Sequence, residues 1–210
     1  MRTILLLAWC AAPIAGLAYH YGPGQERLVL DDVATILARA ETAVQDENWG
    51  DAVERYDEAL KQLPADQTLT QRRLKLERAK AALLDSKLPT ATADLSALVE
   101  ELQDAASADN GATKTGKDAA ANAQLLRESR EALANSQFYM TWLLRLEGKA
   151  REEWEPQIDA ARQNYRLLAE DAQDRGDAAQ QKRSQEDLES AIRLERAELQ
   201  DLQGLPLPSQ

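Results

Sequence analysis

An all-α fold is predicted by three features of the sequence. Ala, Leu, Glu, Gln, Arg and Asp dominate, Phe occurs once and β-branched residues are scarce, so helix formers outnumber strand formers along almost the whole chain. Apolar residues recur at helical spacing in successive blocks, each long enough for one helix. Short polar breaks such as "DENWGD" separate the blocks, as expected of helices that turn back on one another. With 210 residues the chain suits one folded unit of ordinary size.

Residues 1–24, "MRTILLLAWCAAPIAGLAYHYGPG", hold one basic residue, an uncharged apolar run from Ile4 to Tyr21 and the breaker Gly22–Pro23–Gly24. This is the pattern of an export signal or membrane anchor. Gly16 and Ala18 have the spacing a signal peptidase accepts, so cleavage after Ala18 is one outcome. The other is an uncleaved anchor: the run would extend about 27 Å as a helix, close to the ~30 Å hydrocarbon core, and Tyr19, His20 and Tyr21 suit the interfacial belt. The balance of these features favours the anchor, with Arg2 on the cytoplasmic side, the tether Gly22–Gln25 and the remaining chain outside. Cys10 follows Trp9, which is too bulky for the site of a lipoprotein signal.

From Asp31 to Asp66 apolar residues mark one helix through Val33, Ile36, Leu37, Ala40 and Val44, stop at the break, and mark a second through Ala52, Tyr56, Ala59, Leu60 and Leu63, closed by Pro64. The spacing predicts a helical hairpin. Ala40 on the first helix, Trp49 in the turn, Ala52, Tyr56 and Ala59 on the second helix, and Pro64 behind it resemble a tetratricopeptide repeat, whose period is about 34 residues. Small residues at such positions let two helices approach closely. A degenerate second unit follows at about 67–103. Leu69, Leu76, Ala79 and Leu83 share one face, the pattern breaks at Lys87–Pro89, and Ala91, Leu95 and Leu98 stand where the first unit has Ala52, Tyr56 and Ala59. Residues 25–103 are thus expected to form repeats like those of an exported or anchored bacterial-type member of that family.

Residues 104–117 are small and polar and predict a flexible linker. Within "NGATKTGKDA" the glycines Gly111 and Gly116 and Lys117 have the spacing of a phosphate-binding loop. That loop needs a preceding strand and a Ser or Thr after its lysine to hold magnesium. Here Asp118 follows, and the preceding segment reads as a helix ending at Leu102, so nucleotide binding is not expected.

Residues 118–203 begin with one long helix to Glu147, ended by Gly148. A helix carrying Trp154, Ile158, Ala161, Tyr165 and Leu168 follows, making a third hairpin. Gly176–Asp177 breaks it, and a charged helix from Ala178 to Leu202, with Leu188, Ile192, Leu199 and Leu202 as its apolar residues, reads as a polar cap. Residues 204–210, "GLPLPSQ", read as a frayed tail.

The functional reading starts from exclusions. A formal charge of −11 repels nucleic acid and anionic lipid head groups. A basic island of Arg72, Arg73, Lys75, Arg78 and Lys80 reads chiefly as a solvated helix face paired with Glu77 and its neighbours. With Cys10 the sole cysteine there is no cysteine-built zinc site, and with His20 the sole histidine a histidine-based triad, a Cys–His dyad or a His-rich metal site would have to be built from residues of the leader, which comes close to excluding them. Glu152, Glu153 and Glu155 cluster at a predicted helix start, where acids suit the helix dipole. Tyr139, Trp142, Trp154 and Tyr165 read as core aromatics rather than a ligand cage. No catalytic residue, cofactor or metal is expected.

What the repeat resemblance implies is a scaffold that holds a peptide or helix of a protein partner in the cell envelope, with the first helix of each repeat lining the groove. Carried onto this chain, the groove is Leu37, Glu41, Val44 and Gln45 with Arg72, Lys75 and Arg78 as neighbours. The alternative is a structural, self-associating subunit of a membrane-tethered complex, suggested by the heptad-like spacing of Leu126, Leu133 and Met140.

Overall fold

The computed structural model describes residues 23–108 and 116–198 together with Leu202 and Pro208. These residues form seven helices and no strand: α1 (Pro23–Gln45), α2 (Trp49–Gln62), α3 (Thr68–Leu84), α4 (Leu88–Ala108), α5 (Gly116–Leu146), α6 (Arg151–Asp174) and α7 (Ala178–Arg196). The expected all-α class is observed. The apolar run Ile4–Tyr21, the cleavage position after Ala18 and Gly111 of the glycine-containing loop lie outside the described residues. No described helix is long and apolar enough to cross a membrane.

The chain divides into two compact units, Met1–Gln67 and Thr68–Gln210. The boundary falls between the two expected repeats, so residues 68–103 fold with the C-terminal helices. In the first unit α1 packs on α2. Val33, Ile36, Ala40 and Ala43 are buried on α1, and Ala52, Val53, Tyr56 and Ala59 on α2. Ala40, Ala52 and Ala59 are all 0% exposed, consistent with small residues setting a close approach of the two axes. The helix α1 begins at Pro23 rather than near Asp31, and the expected tether Gly22–Gln25 is helical from its second residue. Proline suits a first helical position, because its fixed φ is helical and its missing N–H would have no partner there. Periodicity misses this first part of α1 because its apolar residues Leu28 and Leu30 stay exposed.

In the second unit each helix packs on the next, α3 on α4, α4 on α5, α5 on α6 and α6 on α7, and α5 also reaches α3. Two apolar clusters result. Leu76, Ala79, Leu95, Leu98 and Leu102 form one with Leu125 and Leu133 of α5. The other gathers Ala134 and Phe138 of α5, Trp154, Ile158 and Tyr165 of α6, Ala191 and Leu194 of α7, and Leu202. With 31 residues, about 46 Å at 1.5 Å per residue, α5 is long enough to serve both. The expected linker 104–117 is shorter than its composition suggests, since α4 continues to Ala108 and α5 starts at Gly116.

Four of the connections use one device. Glu47, Ser86, Gly148 and Gly176 all have φ between 54° and 72°. At each, the left-handed residue donates its N–H three residues back and the next residue donates five back: Glu47 to Val44 and Asn48 to Ala43 at 3.1 and 2.8 Å, and Gly176 to Gln173 and Asp177 to Ala172 at 3.0 and 2.9 Å. Two carbonyls that the helix end leaves free are thereby satisfied. Asn48 and Asp177 then cap the following helices, accepting from the N–H of Asp51 at 3.4 Å and Gln180 at 3.0 Å.

At the C-terminus α7 stops at Arg196, with Ala197 as its cap, and does not run to Leu202. Its buried face is Ser184, Asp187, Ser190, Ala191 and Leu194, while Leu188 and Ile192 are half-buried. The face is rotated from the expected one because small and polar residues, not only the large apolar ones, occupy the seam. In the expected frayed tail, Pro208 is described and is buried.

Candidate functional site

The four α1 residues of the predicted groove stand together on one stripe. Leu37 and Val44 are half-buried, and Glu41 and Gln45 are exposed. Leu30, 38% exposed, lies one heptad before Leu37, so Leu30, Leu37 and Val44 make an apolar line with polar residues beside it. The hydroxyls of Thr35 and Thr42 are turned back onto their own helix, donating to the Asp31 and Ala38 carbonyls at 3.0 and 2.9 Å.

The three α3 residues lie in the second unit and are engaged there. Arg72 donates to Glu101 at 2.9 Å and to Asn122 at 3.1 Å, Lys75 reaches the other oxygen of Glu101 at 2.7 Å, and Arg78 pairs with Asp94 at 2.5 Å. Arg73 bridges to Glu128 of α5 and also lies 3.5 Å from Glu77, which Lys80 approaches to 3.3 Å. The basic island is therefore paired with acids, across to α4 and α5 as well as along its own helix. Burial pushes the Glu101 carboxyl up, but Lys75 and Arg72 together more than offset it and hold it below its ordinary value.

The other candidates fall into structural roles. Glu152 and Glu153 are exposed in the first turn of α6, where Glu153 accepts from the Ala150 N–H at 3.4 Å and Glu155 pairs with Arg151. Tyr165 and Trp154 are buried, and Tyr139 and Trp142 pack against the same cluster. Tyr165 is 0% exposed and donates to the side-chain oxygen of Asn135 at 2.7 Å. Burial above all, with Asp187 adding to it, pushes its phenol well above the ordinary range. Leu133 is buried and Leu126 packs against its cluster, so two of the three residues that suggest self-association are occupied within the chain. Lys117 is exposed in the first turn of α5, and the segment before the glycine-containing loop is helix to Ala108. No group of three His, Cys, Asp or Glu able to hold a metal is present among the described residues.

One constellation was not anticipated. Trp142 Nε1 donates to the Leu202 carbonyl at 3.2 Å, and Leu202 is 1% exposed. Arg145, one turn on from Trp142, donates to the carbonyls of Leu194 and Ala197 at the end of α7. Its guanidinium also lies 4.8 Å from the centre of the Trp154 ring. The spacing predicts one helix through Leu202, whereas the helix ends at Arg196 and Leu202 is held separately by Trp142.

No protein-family model, curated protein or solved structure matches the chain.

Proposed function

We propose that this protein is a non-enzymatic scaffold of the tetratricopeptide type, exported and held at a membrane by its N-terminal segment, that binds a peptide or helix of a protein partner outside the cytoplasm. The observation that carries the reading is a recurrence in both backbone and packing. The left-handed residues Glu47 and Ser86 are 39 positions apart, and the buried triplets behind them, Ala52, Tyr56, Ala59 and Ala91, Leu95, Leu98, follow at the same offset. Turn and packing recurring together support two copies of one hairpin design, and proteins made of such hairpins use the exposed face of the first helix for binding. The half-exposed line Leu30, Leu37, Val44 beside Glu41 and Gln45 supplies that face with the anchors expected for an amphipathic partner. Arg72, Lys75 and Arg78 belong to the second unit, where they pair with Glu101 and Asp94, and the proposed binding face is that of α1 alone.

The test is affinity capture from solubilised envelopes with the full chain and with the double variant Leu37→Asp, Val44→Asp. A defined partner retained by the parent chain and reduced at least tenfold by the variant is expected, with helical content unchanged by circular dichroism. Equal recovery by a folded variant removes α1 as the binding face.

A further inference from the structure

Within the second unit a cleft of about 260 Å³ opens where α5 passes the turn between α6 and α7. Arg127, Glu128 and Glu131 of α5 line it, with Leu168 of α6 and with Arg175 and Asp177 of the turn. The volume falls below the ~300–1,000 Å³ of small-molecule sites and suits one long side chain. All of the charges that line the cleft but one are met within the chain. Arg175 pairs with Asp171 at 2.9 Å and lies 3.6 Å from Asp177, and Arg127 lies 3.9 Å from the same Asp171. Glu128 takes Arg73 at 2.5 Å and the side-chain amide of Gln124 at 2.9 Å. Glu131 is the exception: it is half-buried and forms no hydrogen bond or ion pair with any described residue. Arg127, one turn before it, has the spacing of a helical ion-pair partner but is directed to Asp171 instead.

A carboxylate drawn partly out of water without a counter-charge is unfavourable, so Glu131 leaves the cleft short of one cation. Beside it stands Leu168, 3% exposed and backed by the apolar cluster of Phe138 and Tyr165. An unmet carboxylate with an apolar wall suits a lysine, whose methylenes lie on apolar surface while its ammonium keeps the charge. An anion is disfavoured there, because the two arginines are engaged with Asp171 and it would face Glu131 and Glu128. From this geometry we infer that the cleft between α5 and the α6–α7 turn is a binding site for a lysine side chain of a protein partner, with Glu131 as the counter-charge and Leu168 as the surface for its methylenes. The site adds a requirement for positive charge that the α1 stripe does not impose.

The test uses the full chain in a neutral detergent, with Nα-acetyl-lysine methylamide as the probe and its norleucine and glutamate counterparts as controls, read by amide chemical shifts. The lysine probe should give saturable shifts confined to the neighbourhood of residues 124–131 and 168–180. Binding should be at least about fivefold weaker in Glu131→Gln and unchanged in Glu152→Gln, which alters an exposed carboxylate in the first turn of α6. Glu131→Gln removes no internal bond, and unchanged helical circular dichroism is expected. Equal binding of the norleucine probe, or of the lysine probe to Glu131→Gln, overturns the inference, as does the absence of any saturable shift. Stronger binding of the glutamate probe also overturns it, since Arg127 and Arg175 would then be the recognition groups. None of these outcomes depends on α1, so failure here is distinct from failure of the scaffold reading.

Discussion

Tyr165 shows how one side chain can hold three helices in register. Its ring is fully buried among residues of α5, α6 and α7, its hydroxyl ends on Asn135, and beside it Asn164 donates to Gln137 at 3.0 Å. Removing the hydroxyl deletes its bond to Asn135, so Tyr165→Phe should lower stability by about 1 kcal/mol, read as a fall in the urea midpoint at pH 7. The pH dependence has a definite sign. The folded state holds the phenol above its ordinary value of 10.0, so its contribution is complete below about pH 10 and declines as pH rises further and the unfolded chain ionises. The urea midpoint of the parent chain should therefore drop more between pH 9 and 11 than that of Tyr165→Phe. Glu101 works in the opposite direction. Lys75 and Arg72 hold its carboxyl below 4.5, so its contribution is present above about pH 4.5 and is lost as pH falls. Glu101→Gln should flatten the decline in urea midpoint between pH 6 and pH 3.5; an identical decline in both chains would show that this pair network does not couple to folding.

Among the elements, the helix ends make the sharpest comparison. Gly148 and Gly176 occupy left-handed backbone at φ +70° and +72°, and a Cβ at either would meet nothing within 4 Å. Alanine there costs backbone energy alone, about 1 kcal/mol each. Glu47 and Ser86 take the same conformation, at φ 54° and 60°, with a side chain present, so Glu47→Gly and Ser86→Gly should be neutral or stabilising by up to about 1 kcal/mol, the relieved strain being partly offset by glycine's freedom in the unfolded chain. Opposite signs at the two pairs of sites in thermal unfolding are the expected outcome, and destabilisation at all four would contradict the shared turn. Gly148 and Gly176 are legible in the sequence as breaks because glycine advertises a left-handed position, whereas Glu47 and Ser86 are legible only as polar interruptions. The elements read best were those with large apolar residues on one face, such as the helix carrying Trp154, Ile158, Ala161 and Tyr165. The seam of α7 is not legible in the sequence because Ser184, Asp187 and Ser190 fill it, and residue type gives no sign that these polar groups will be buried. The α1 stripe was legible as a candidate, but the anchoring of Leu202 was not, since it depends on Trp142, 60 positions away.

At the scale of the whole molecule, the two units and the apolar leader define what the protein would do in a cell. On the proposed reading the leader is retained, and the mature protein extracted from its native cell should have the mass of the full chain; loss of residues 1–18 would make the protein free rather than tethered. The interaction face would then be presented close to the membrane, because α1 begins at Pro23, two residues after Tyr21. On that reading an acidic chain of net charge −11 would be repelled by anionic head groups, and α1 would stay available to a protein partner. The most direct measurement places a photoreactive residue in the living cell at Leu37, Glu41 or Gln45, with exposed Lys182 of α7 as a control. Binding along α1 predicts one discrete adduct, of the same mass at all three sites and missing at Lys182. Adducts at none of the three, or only of the mass of two copies of this chain, would contradict it.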